Sequence, residues 1–121
     1  MKLVFSFFLL AFSVLASATT FYIDPAGNNS NDGSATRPWL NLSFACSKVK
    51  TSGDIIHVNS GTYIETSQSI LAVGVSIEGE GITSIIHSHV TSSETPTIYA
   101  YSANIVSGNQ HISNIFMDGD G

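Results

Sequence analysis

The sequence predicts an all-β chain built as a parallel β-helix, a solenoid seen here in its first coils only, with an N-terminal capping α-helix. Three observations predict it. A short amphipathic helix stands ahead of nearly every strand-like run. After Gly53 the helical period gives way to short β-branched runs punctuated by Gly, Asn and Ser. Two of those runs, Val75-Ser76-Ile77-Glu78-Gly79 and Ile112-Ser113-Asn114-Ile115-Phe116, look like one strand revisited tens of residues later, as repeat folds do. An antiparallel sandwich also fits regularly spaced short strands. The absence of Asn-Gly hairpin signals after Gly53 favours the solenoid.

The elements follow in chain order. Lys2, the apolar run Leu3 to Leu15 and Ala16-Ser17-Ala18 make a positive n-region, a hydrophobic core and an A-x-A cleavage site. Residues 1–18 are therefore read as a secretory signal peptide and set aside from the fold. The run is shorter than the ~20 residues a spanning helix needs, so a membrane anchor is the weaker reading. Residues 19–53 hold a strand at Phe21-Tyr22-Ile23, a polar loop from Gly27 to Ser34 and the helix. Asn41 is the predicted N-cap. Leu42, Ala45, Cys46 and Val49 then form one apolar stripe, and Gly53 ends the helix. Residues 54–121 carry the coils, with strands at Ile55–Val58, Val75–Glu78, Ser84–His87, Thr97–Tyr101 and Ile112–Met117. Alternation in these runs turns Ile77 inward.

Charge narrows the partners. The chain has four basic and nine acidic residues, for a net charge of −5. Once Lys2 leaves with the leader, Arg37, Lys48 and Lys50 are the only basic side chains. Nucleic acid is a poor partner, because its affinity comes largely from neutralised phosphates. Anionic membrane surfaces are equally poor partners. The expected product is a soluble, extracellular protein with no membrane segment after signal cleavage. Cys46, the one cysteine, has no internal disulfide partner and lies on the apolar stripe, as a buried inert thiol does.

From Phe21 to Glu65 the chain resembles the N-terminal region of secreted right-handed parallel β-helix proteins, the pectate-lyase-like superfamily. Tyr22, Gly27, Asn31, Asp32, Gly33, Pro38-Trp39, Ala45, Gly53-Asp54, Ile56, Val58, Gly61, Tyr63 and Glu65 carry the resemblance, and Val75 to Gly81 resembles the next strand and its Gly-x-Gly turn. It implies a right-handed solenoid and extracellular polysaccharide as the ligand. It also implies a Ca²⁺-assisted polysaccharide lyase or a glycoside hydrolase with paired aspartates, if the full-length protein is catalytic. Neither catalytic set maps onto this chain. The ending Met-Asp-Gly-Asp-Gly reads as mid-coil, so the chain is expected to be the N-terminal part of a longer protein and inactive alone. A non-catalytic surface or adhesion protein is the alternative.

Candidate sites are few. A lyase wants a base for the proton α to the uronate carboxyl, and no Lys or Arg follows Lys50. Asp118 and Asp120, two apart on an extended stretch, are a possible carboxylate pair for hydrolysis or Ca²⁺, set against an Asp-Gly turn. Glu78 and Glu80 share that spacing. Asn28-x-Ser30-x-Asp32-Gly33 matches half an EF-hand loop, but Trp39 stands where the twelfth-position Glu belongs. A weak Ca²⁺ site on Asp24 or Asp32 remains, set against a loop of Asx turns packed over the helix. His87 and His89, on one strand face and without a third ligand, make a poor zinc site, set against ordinary surface histidines. Tyr99 and Tyr101 are candidates for stacking on sugar rings, set against stacking on neighbouring aromatics. Asn28 and Asn41 begin N-glycosylation sequons, and at Asn41 that role competes with capping.

Overall fold

The structure is a computed structural model that describes residues 17–91, 95–100 and 108–119. The strands are β1 (Thr20–Ile23), β2 (Ile55–Val58), β3 (Gly61–Glu65), β4 (Ser69–Leu71), β5 (Ser76–Gly79), β6 (Ser84–Ser88), β7 (Ile98–Ala100), β8 (His111–Ser113) and β9 (Phe116–Gly119), and the helix is α1 (Leu42–Lys48). The strands form three sheets with orders β1-β2-β5-β8, β3-β6-β9 and β4-β7. Among the described residues every pairing of named strands is parallel. The sandwich is thereby excluded.

The expected fold class is corrected. In place of an all-β right-handed parallel β-helix with a helical cap, the chain is a small mixed α/β fold. Its parallel sheets are short, and the helix belongs to its core. The overturning finding is irregular spacing. In the four-stranded sheet Thr20 faces Ile55, Ile55 faces Ser76 and Ser76 faces His111, steps of 35, 21 and 35 residues. Gly61 faces Ser84 and Ile85 faces Phe116, steps of 23 and 31. Repeat architectures keep a near-constant period. The likeness between runs reflects the general preference of strands for β-branched residues, which is no measure of a repeat.

Two finer expectations also change. The run Ile112–Met117 is two strands in different sheets, with Asn114 in the left-handed region (φ 55°) between them. The two similar runs do meet, but Ile112 faces Ile77 rather than Val75. Tyr101, at the end of the predicted Thr97–Tyr101 strand, lies outside the described residues.

Burial explains the rest. Ile56, Val58, Ile77 and Ile86 alternate inward from the strands, as predicted for Ile77, and with Val75 just ahead of β5 they meet the apolar stripe of α1. Leu42, Ala45, Cys46 and Val49 are all buried there. The helix packs chiefly on β4. Its cap departs from expectation. Asn41 sits at the N-cap with an extended backbone, yet its side chain makes no capping bond. Glu65 caps instead, from the end of β3, with a side chain only 1% exposed. Its Oε1 accepts from the Leu42 N–H at 2.7 Å and its Oε2 from the Ser43 N–H at 3.1 Å.

The polar loop wraps Trp39. The indole stacks on Phe21 at 5.4 Å, meets Phe44 edge-on at 5.7 Å and donates from Nε1 to the Asn31 carbonyl at 2.7 Å. Gly33 (φ 78°) lies against the ring, and a Cβ there would fall 2.7 Å from it, so only glycine fits.

Candidate functional site

Parallel pairing lines up outward side chains from different parts of the sequence. On the β3-β6-β9 sheet Thr62, Ile85 and Phe116 share one row, and Ile64, His87 and Asp118 share the next. Strand alternation puts both rows on the face opposite Tyr63 and Ile86, which are buried. Ile64 is 58% exposed and Phe116 49%. His87 Nδ1 and Asp118 Oδ2 are 3.0 Å apart, and the His89 ring lies 4.7 Å from that of His87. The result is an apolar strip with an aromatic at one end, bordered by an imidazole–carboxylate pair. Such a surface can stack on the C–H face of a sugar while hydrogen-bonding its hydroxyls.

A second polar cluster gathers where β2 and β5 run into their turns. Ser60 Oγ donates to Glu80 Oε2 at 2.5 Å, the Ser60 N–H reaches the same oxygen at 3.1 Å, and His57 Nε2 lies 3.1 Å from Glu80 Oε1. A serine nucleophile needs its base in contact and that base oriented by a third group. Here Ser60 and His57 each bind the carboxylate, and the imidazole does not stand between. The Ser60 hydroxyl, then the His57 contact, hold the Glu80 carboxyl below its usual range. A carboxylate so stabilised is a weak base for Ser60 at neutral pH. The cluster fastens the turns.

The predicted site residues are dispersed. Asp24 accepts from the Ala26 N–H and from Asn59 Nδ2. Asp32 accepts from the Ser34 N–H, which holds its carboxyl below the usual range, and lies 3.7 Å from Arg37. Both carboxylates thus serve loop geometry. Among the described residues no three His, Cys, Asp or Glu side chains form a group able to hold a metal ion. Asp118 pairs with His87, and Asp120 lies outside the described residues. Tyr99 is exposed on β7, away from the rows above, and Tyr101 is likewise outside the description. Asn28 is exposed, with Oδ1 on the Ser30 N–H, whereas Asn41 is half-buried. Burial pushes the Cys46 thiol up to about 12, so it is unreactive at neutral pH.

Sequence reasoning missed the partnership of His87 with Asp118, 31 residues apart, and that of Ser60 with Glu80, 20 apart. Only the register brings either pair together. Among the described residues no helix is long and apolar enough to cross a membrane. No protein-family model matches the chain, and no curated protein or solved structure does either.

Proposed function

We propose that this chain is secreted and holds extracellular polysaccharide without cleaving it, on the outer face of β3, β6 and β9. The observation that carries the reading is the pair of in-register rows, Thr62-Ile85-Phe116 and Ile64-His87-Asp118. The leader-like residues 1–18 support the address, and the neighbouring apolar and hydrogen-bonding side chains of the two rows support a sugar as the ligand class. The lack of any Lys or Arg after Lys50 supports binding over lyase turnover. With nine acidic side chains against Arg37, Lys48 and Lys50 after the leader, the chain repels a polyuronate over distance. An anionic polymer therefore needs a bridging cation, whereas a neutral one does not.

The test is retardation of the purified chain in gels cast with pectate, alginate or a neutral glucan, with and without Ca²⁺. At least one polymer is expected to slow the wild type. Phe116→Ala, which removes an aromatic stacking contact of about 0.5–1.5 kcal/mol, is expected to weaken binding about twofold to tenfold. No ultraviolet-absorbing unsaturated product is expected from either polyuronate. Equal migration in every gel, or release of that product, overturns the reading.

A further inference from the structure

We propose that Asn41 carries an N-linked glycan whose first N-acetylglucosamine seats in a groove of this chain's own surface. The inference rests on the secreted reading above. The groove, about 230 Å³ in volume, is lined by Pro25, Leu40, Asn41, Thr62, Tyr63 and Ile64. Its walls are largely apolar, and Leu40 and Ile64 are exposed there. The same groove contains the acceptor of the sequon Asn41-Leu42-Ser43.

The Asn41 amide is already oriented. Its Oδ1 accepts from Asn29 Nδ2 at 2.9 Å, and its backbone N–H donates to Asn29 Oδ1 at 3.3 Å. A sugar bonded at Nδ2 leaves both contacts in place. Nor does it disturb the helix, because Glu65 rather than Asn41 caps α1. The two roles that compete for Asn41 in the sequence are thus separated in the fold. The C–H face of the pyranose would then cover Leu40 and Ile64, removing apolar surface from water and leaving Ile85, Phe116, His87 and Asp118 of the two outward rows to the polymer. Asn28 differs. It is exposed, and its Oδ1 is spent on the Ser30 N–H, so a glycan there projects into solvent.

The transfer balances with a polyisoprenyl-diphosphate oligosaccharide as donor and a host oligosaccharyltransferase as catalyst. The Asn41 Nδ2–C1 bond forms and the C1–O bond to the diphosphate breaks. The lipid diphosphate leaves with that oxygen, and the amide proton passes to the transferase.

The test expresses the full chain in a eukaryotic host, once with its own N-terminus and once fused behind a host secretory leader. Peptide mass mapping reads occupancy at Asn28 and Asn41. An endoglycosidase then trims each glycan to one sugar. In an Asn28→Gln background the trimmed protein is compared with Ser43→Ala, which abolishes the sequon and keeps both Asn41 and the Ser43 N–H. Occupied Asn41 and a melting temperature about 2–5 °C above Ser43→Ala are expected. Ile64→Ser is expected to abolish that difference, and contacts from sugar protons to the Ile64 methyls are expected in nuclear Overhauser spectra. Asn41 left bare behind the host leader, or a glycan with neither the melting shift nor the contacts, overturns the proposal. Secretion failing only with the chain's own N-terminus counts against the secreted reading and leaves the groove assignment standing.

Discussion

Glu65 offers the sharpest perturbation. Its carboxylate is 1% exposed and accepts from two N–H groups at the start of α1, more than 20 residues back in the chain. Hydrogen bonds to charged groups contribute about 1.5–3 kcal/mol each, and the Leu42 N–H left behind stays buried without a partner, the Ser43 N–H partly so. Glu65→Ala is therefore expected to cost about 3–5 kcal/mol, a large share of a stability that in domains of this kind is about 5–15 kcal/mol. Asn41→Ala loses one neutral, part-buried bond to Asn29 and is expected to cost about 0.5–1.5 kcal/mol. Glu65→Gln keeps an acceptor for one N–H but turns its NH₂ on the other, and falls between the two. Urea unfolding followed by the fluorescence of Trp39, the only tryptophan, reads all three variants. With a slope of about 1–2 kcal/mol/M, Glu65→Ala lowers the midpoint by about 1.5–5 M. A loss for Glu65→Ala no greater than that for Asn41→Ala would refute the assignment of Glu65 as the cap.

Four further outcomes follow from the structure. Ile77→Asp places an unpaired charge in the core and is expected to unfold the chain, costing several kcal/mol; a wild-type melting curve would mean that Ile77 does not face inward. Tyr63→Phe strips the hydroxyl that donates to the Ile23 and Asn59 carbonyls at 3.0 and 2.7 Å, and a loss of about 1–2 kcal/mol is expected in the same urea assay. Cys46 is expected to react with a thiol reagent only at the rate of global unfolding; rapid labelling at neutral pH would contradict a thiol pushed up to about 12. Glu80, whose carboxyl is held below its usual 4.5, contributes stability that is present above that pH and lost as pH falls through its lowered value. Glu80→Gln is accordingly expected to flatten the fall in melting temperature on acidification below 4.5, and an unchanged acid limb would dismiss the Ser60 and His57 contacts.

Much of the local structure was legible in the residues. The stripe Leu42, Ala45, Cys46 and Val49 forms the buried face of α1 because a 3.6-residue period is a short-range signal. The inward turn of Ile56, Val58, Ile77 and Ile86 follows from alternation in the same way. β4 carried no comparable signal, because Ser69-Ile70-Leu71 is too short to alternate visibly. The cap was misread for a related reason. Asn41 stands where local rules put a cap, but Glu65, two strand positions beyond buried Tyr63, is brought to the helix by tertiary packing alone. Fold class failed at the same boundary, since similar β-branched runs recur without a fixed period.

The candidate site lies wholly on the side of that boundary where the sequence is silent. Ile64, His87 and Asp118 belong to three strands, and only the register makes them neighbours. A slip of one residue in β9 would send Asp118 to the inner face and bring Met117 out in its place. The polar face therefore depends on whatever fixes β9, and inward packing of its other side chains is the obvious source. Met117 pairs with buried Ile86 but is itself 45% exposed, so burial holds β9 less firmly than it holds β6. The contact between His87 and Asp118 supplies part of the missing restraint, since it forms in one register only. His87→Ala should then do more than remove a hydrogen-bonding group. Amide exchange in β9 should quicken while β3 stays protected, and polymer binding should fall along with it. If binding falls with exchange in β9 unchanged, the imidazole acts on the ligand alone and the register is fixed elsewhere.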